Sequence, residues 1–210
     1  ISGEASERAN AIAFMKRAID CSKAVGSDML IGPFYQPLGQ FSGVGPTADE
    51  QALGVESMRA MAEHAEGQGV PLAVEFLNRF ECYFLNTLGA ASALVKAVDN
   101  PCFGAMFDTF HANIEEKDPA VAIASYGDVI RHVHISENDR GTPGLGHVAF
   151  PDIFAALKAR GYDGWCTIEA FGQALPDLAA AAGIEIHGRH IDRETTFADY
   201  RPPTHPARQP

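Results

Sequence analysis

The sequence is short of positive charge: Lys and Arg number 16 against 27 Asp and Glu, a formal net charge of −11. Nucleic acid and anionic membrane surfaces need basic patches that release counterions, so both are excluded as expected partners. A neutral or cationic small ligand fits better. No apolar stretch approaches the length of a membrane span, and the N-terminus shows no basic stretch followed by an apolar one, so the expected location is the cytoplasm. The four cysteines, Cys21, Cys82, Cys102 and Cys166, lack metal-ligand spacing. They read as reduced, buried, small hydrophobes. The chain also opens on Ile1 without a methionine, as a fragment or processed piece would.

What is present is a repeated gesture. The run Leu72–Val74 ends in Glu75, Cys102–Phe107 ends in Asp108, Val129–Val133 ends in His134, and Trp165–Ile168 ends in Glu169. Each run is short enough for a buried strand, and the intervals leave room for one helix, the pattern of βα units with a parallel sheet. Parallel strands bring their C-terminal ends to one face, where side chains from different strands can converge. Two Glu, one Asp and one His, with no thiolate among them, suit a hard divalent cation, Mn²⁺ or Mg²⁺ rather than a structural zinc.

The remaining periodicities predict five strands and about five helices in all. A helix from about Glu4 to Val25 has a stripe of Phe14, Ala18, Cys21 and Val25 widened by Ile12, Met15 and Ile19, and a strand from Asp28 to Ile31 follows. Thr47 and Glu50 form a capping box, Thr87 caps a third amphipathic helix, and Asp118-Pro119 opens a fourth. Phe34, Tyr35 and Phe41 lie in a Gly/Pro-rich loop where they can wall a pocket or pack on the core. Ala179–Ala182 reads as the start of a closing helix, and residues 183–210 as an irregular tail.

Glu81, His111 and Arg140 follow the strand ends by a few residues, where loop groups reach a bound substrate. Each also admits a structural reading: Glu81 paired with Arg79, His111 capping a turn, Arg140 paired with Glu137 or Asp139. Glu115–Asp118 reads as a solvated loop, and His132 as a hydrogen-bonded histidine inside the sheet's concave face.

The strings LNRFECYFLNT, FDTFHANIEEKDP, HVHISENDRGTPGLGH and GYDGWCTIEAFG closely resemble the D-tagatose/D-psicose (allulose) 3-epimerase family of the xylose-isomerase-like sugar isomerases and epimerases, over about Ala9 to Ala181. That resemblance implies a (β/α)₈ TIM barrel with Mn²⁺, Mg²⁺ or Co²⁺ held by Glu75, Asp108, His134 and Glu169, and a sugar held by Glu81, His111 and Arg140. Five strands instead of eight imply a partial barrel over residues 1–182, with three βα units upstream of Ile1. Inverting C3 of a 2-ketose requires removing a proton beside the carbonyl and returning it on the other face, for which Glu75 and Glu169 are the acid/base candidates. The resemblance requires a small ketose as partner and leaves room for a homo-oligomer at full length. The rivals are an aldose-ketose isomerase of the hydroxypyruvate-isomerase kind, a DNA-repair endonuclease, which the acidic balance opposes, and a non-catalytic sugar- or metal-binding remnant.

Overall fold

Helix α1 (Ala5–Ala24) enters the fold ahead of any strand, and the computed structural model describes residues 1–171 of the chain. Elements then alternate: β1 (Leu30–Gly32), α2 (Ala48–Gln68), β2 (Leu72–Glu75), α3 (Leu88–Val98), β3 (Phe103–Asp108), α4 (Thr109–Glu115), α5 (Pro119–Tyr126), β4 (Ile130–Ile135), α6 (Phe150–Ala159) and β5 (Cys166–Ile168). The five strands pair in sequence order, every neighbour parallel. This is the curled part of an α/β barrel, incomplete as the strand count predicts. The closing helix expected from Ala179 and the tail beyond it, with the boundary at 182, lie outside the described residues.

The local signals act as their chemistry requires. Thr47 and Glu50 satisfy each other's backbone N–H groups in a complete capping box, and α2 stops at Gly69 in the left-handed region. Thr87 accepts from the Ala90 N–H at the start of α3, and Asp118, followed by Pro119, accepts from Val121 at the start of α5. Strands β2 and β3 are buried along their whole lengths, as expected where helices cover one face of a parallel sheet and side chains fill the other. Phe103, Phe107, Leu72 and Phe76 anchor the core there, together with Met58 and Met61 from α2 and Leu88 from α3.

Three expectations need correction, and one open alternative is resolved. In α1 the buried residues are Met15 and Ile19, whereas Phe14 and Val25 are 62% and 81% exposed; the helix sits on α2 by the edge of its apolar stripe. The cysteines are free, but only Cys82 is buried, and Cys21 and Cys166 are exposed. Cys166 lies in β5, the last strand among the described residues, all three residues of which are exposed. In the Gly/Pro-rich loop, the alternative of packing on the core is the one Tyr35 and Phe34 take, Tyr35 buried with its hydroxyl on Cys82 Sγ (3.3 Å) and Leu85 O (3.3 Å) and Phe34 edge-on to Phe103, while Phe41 is exposed and lines a surface cavity. The seven-residue α4 is an additional helix, capped by Asp108, whose side chain accepts from the Phe110 N–H.

Candidate metal centre

Parallel pairing in register puts the strand ends side by side: Glu75 opposite Met106, Asp108 opposite His134, and Glu169 one residue past β5 with its N–H on Ile135 O. The four predicted ligands meet as two overlapping clusters that share Asp108. Glu75, Asp108 and His111 form one, and Asp108, His134 and Glu169 the other, with the ligating atoms of each cluster within 4.8 Å of one another. The side chain of Asp108 is wholly buried, and those of Glu75, His134 and Glu169 are 10%, 13% and 24% exposed.

Such crowding of carboxylates must be compensated. Burial, reinforced by the charges of Asp108 and Glu169, pushes Glu75 up to about 9. Asp108 is raised too, chiefly by burial, while the Arg140 guanidinium pulls the other way. Burial also acts against ionisation of Glu169, but hydrogen bonding from His134 and Asp108 and the charge of Arg140 outweigh it and hold this carboxyl low. His111 is pushed down to about 3 by burial and by Arg140 and is neutral. Arg140 is the cation at the centre. Its Nη1 donates to Asp108 Oδ2 (3.0 Å) and Ser136 Oγ (3.0 Å) and makes a closer contact with Glu169 Oε2. Its guanidinium carbon lies 3.8 Å from the centre of the Phe110 ring, and its backbone is left-handed, φ 58°.

A divalent cation fits this donor set. Three carboxylates and an imidazole face one charged guanidinium, so with the carboxyls ionised the site would carry net negative charge for a cation to offset. His134 Nδ1 is buried between two of these carboxylates, 3.4 Å from Glu169 Oε1 and 3.9 Å from Asp108 Oδ2, where a cation could be shared among the three. All the available donors are hard oxygen and nitrogen atoms.

The three residues predicted to reach a substrate lie beside this cluster. His111 and Arg140 are buried, with Nε2 and Nη2 3.1 Å apart, and Glu81 is joined to His111 through Asn78. The pairing of Glu81 with Arg79 is not made. Arg79 pairs with Glu115 rather than Glu81, through Nε and Nη2 at 3.0 to 3.2 Å, and Glu115 also accepts from the Arg79 N–H. The Glu115 side chain is only 5% exposed, and Glu116 accepts from the Leu88 N–H, so these two clamp the β2–α3 connection, while Lys117 and Asp118 are exposed as a solvated loop. His132 is buried, but its Nε2 has no hydrogen bond, contrary to the expected satisfied histidine; its ring stands edge-on to that of His134.

Two organising residues escaped the sequence reading. Glu137, buried after β4, accepts from the N–H groups of Asn138 and Val148 with Oε1 and of Gly144 with Oε2, pinning the loop that delivers Arg140. Gly146 makes this possible, since a Cβ there would lie 2.6 Å from Glu137 Cγ and 2.1 Å from Asn138 Oδ1. The other is Asn78, whose side chain and backbone both meet His111. The only sequence signal for either is a polar residue directly beside a predicted site residue.

The xylose isomerase-like TIM barrel family matches residues 1–190. A probable ketose 3-epimerase of Synechocystis sp. (strain ATCC 27184 / PCC 6803 / Kazusa) is 39% identical over 173 residues, 82% of this chain and 60% of that protein. An L-ribulose 3-epimerase of Methylomonas sp. (strain DH-1) is 34% identical over 163 residues, 78% of this chain and 57% of that one. The crystal structure of a Methylomonas sp. D-allulose 3-epimerase in complex with D-allulose superposes with a TM-score of 0.82 at 31% identity, covering 87% of this chain and 64% of that one. The chain thus spans about 60% of the length of the curated relatives it matches.

Proposed function

This chain belongs to the xylose isomerase-like TIM barrel family, and we propose that it carries the reacting face of a ketose 3-epimerase. The observation that supports this reading is a pair of carboxylates in two clusters that overlap at Asp108, Glu75 at the end of β2 in one and Glu169 just past β5 in the other. Two acid/base groups on either side of a sugar carbon are what inversion by proton removal and return requires.

Glu75, Asp108, His134 and Glu169 hold a divalent cation, with Mn²⁺ favoured and Mg²⁺ or Co²⁺ as alternatives. When bound, the ion supplies Lewis acidity to the oxygens flanking the reacting carbon and draws Glu75 into its ionised form. Glu75 and Glu169 exchange the C3 proton, one as base and the other as acid. Buried Asp108 cannot turn toward the sugar, because it caps α4 and accepts from Arg140, so its role ends at ligation. Glu81, His111 and Arg140 hold the oxygens of the C1 to C3 end, and the far end of the sugar is loosely held. The small ketose is the partner; the cytoplasm is the proposed location, and the full-length protein is compatible with a homo-oligomer. Among the described residues no helix is long and apolar enough to cross a membrane.

The test is hydrogen exchange of a free ketose in deuterated water with added Mn²⁺. Label entering C3 with inversion supports the proposal. Label confined to C1 or C2 would make the protein an aldose-ketose isomerase, and no metal-dependent exchange would leave a binding remnant.

A further inference from the structure

We infer that Asn78 is a positioning residue that keeps the proton of His111 on Nε2, so that this nitrogen and the Arg140 guanidinium present two donors to one acceptor oxygen. The inference rests on the proposed sugar site for the identity of that oxygen but not for the position of the proton.

The argument begins with the donor that has no choice. The backbone N–H of Asn78 points at His111 Nδ1 at 3.0 Å, and a backbone nitrogen can only donate. Nδ1 therefore carries a lone pair. The Asn78 amide adds to this constraint. Its Oδ1 accepts from the Phe80 N–H (2.9 Å), which fixes the amide so that Nδ2 faces the other way. Nδ2 then donates to Glu81 Oε1 (2.7 Å) and lies 3.0 Å from the same Nδ1. Two N–H groups of one buried residue thus converge on one ring nitrogen. A proton on Nδ1 would face both with no acceptor among the three, an arrangement proteins avoid in their interiors.

With Nδ1 accepting, the single proton of the neutral ring sits on Nε2. The 3.1 Å contact between Arg140 Nη2 and His111 Nε2 is then no hydrogen bond, because a guanidinium nitrogen cannot accept. Two donors held that close, one of them cationic, suit a shared oxygen that gains negative charge, as a ketose oxygen does when its neighbouring carbon is deprotonated. Glu75 Oε1, 3.6 Å from Nε2, marks the direction in which this N–H looks. Asn78 also holds Glu81, so one buried amide organises two of the three groups proposed to bind the sugar.

The experiment is two-bond ¹H–¹⁵N correlation spectroscopy on the full 210-residue chain labelled with ¹⁵N-histidine, His111 being assigned by the signals lost in His111→Gln. Expected is one tautomer, with a lone-pair Nδ1 and a protonated Nε2. A proton on Nδ1, or signals averaged between tautomers, would overturn the inference. Asn78→Asp keeps the backbone donor but sets an acceptor oxygen beside Nδ1, so the single tautomer should give way to a mixture; a pattern identical to that of the wild type would assign the proton's placement to the backbone N–H alone and overturn the role of the Asn78 side chain. Should that variant not fold, the wild-type spectrum still decides. Alongside, Asn78→Asp should lower kcat/KM for C3 exchange by about 10²-fold, the scale of losing one oxyanion donor. The predicted tautomer without C3 exchange would refute the epimerase reading alone, and C3 exchange with the wrong tautomer would refute the role of Asn78 alone.

Discussion

Binding of a divalent cation to this site should expel protons. In the metal-free chain Glu75 is pushed up to about 9, mainly by burial and then by Asp108 and Glu169, so at pH 7 it is almost fully protonated. Asp108 is raised as well and adds a further fraction. Ligation needs the carboxylates ionised, so between one and two protons, as a rough figure, should leave per ion bound at pH 7. The apparent affinity should then rise about tenfold per pH unit between pH 7 and 8.5 and flatten above about 9, where Glu75 is already ionised. The same group sets the stability of the metal-free fold. Its folded pKa lies above the unfolded carboxylate value, so the unfolded chain binds fewer protons. The contribution is therefore present below the unfolded pKa, near 4.5, and is lost as pH rises toward about 9. Mg²⁺ or Mn²⁺ titrated into a weakly buffered solution with a pH indicator gives the proton count, and calorimetry at several pH values gives the slope. Glu75→Gln should remove most of the release. An affinity independent of pH from 7 to 8.5, with no protons released by the wild-type chain, would refute the reasoning that the crowded carboxylates hold protons until a cation replaces them.

Glu75→Gln and Glu169→Gln should each lower C3 exchange by about 10² to 10⁴-fold while weakening metal binding far less, because an amide oxygen still ligates but cannot take a proton; equal losses in both measurements would reduce these residues to ligands. Gly104→Ala should cost about 1–3 kcal/mol in denaturant unfolding, since its Cβ would lie 2.2 Å from Arg131 Cγ and 3.0 Å from the Val129 carbonyl oxygen; an unchanged midpoint would mean that β3 and β4 slide apart at no cost. The 210-residue chain alone should self-associate through β5, whose residues are exposed beside a Trp165 that is 70% exposed. Ile168→Lys should then restore monodispersity in light scattering, and a wild-type chain already monodisperse would show that this exposed apolar strand is tolerated.

How much of this was legible beforehand follows from where each signal resides. Strand β3 could be bounded exactly because burial on both faces leaves an unbroken apolar run, and Asp108 ends it with a charge that only a sheet terminus can accommodate. The end of β2 was legible for the same reason, whereas those of β4 and β5 were marked only by the polar residue that closes an apolar run, since β5 is exposed along its length; together they give the four side chains of the two clusters. Helix α1 was harder. Its apolar residues extend more than halfway around, and whether Phe14 or Met15 turns inward depends on α2, which its own periodicity cannot contain. The seven residues of α4 are too few for a period to emerge, and their cap is an Asp already explained as a strand end. The exposed Cys166 is a similar case, since a small apolar residue reads as buried until its strand's exposure is known from the fold.

The organising polar residues mark a different boundary. Asn78 acts on His111 from 33 positions away, and Glu115 grips Arg79 across 36, so no local pattern announces either. A carboxylate that ends a strand can be found from its neighbours in sequence, because the strand itself is local. A carboxylate that holds a loop, or an amide that places a proton, is defined by a partner that only the fold brings near. Such residues should therefore be sought next to strand-end ligands, at the positions where the chain leaves the sheet. Asn78 stands three residues past Glu75 and Glu137 three past His134, each buried and each spending its hydrogen bonds on the loop that carries a neighbouring site residue. The common spacing has a geometric basis: the first residues beyond a barrel strand still lie beneath the loop they begin, so a polar side chain there can bond to that loop from inside while the ligand behind it faces the site.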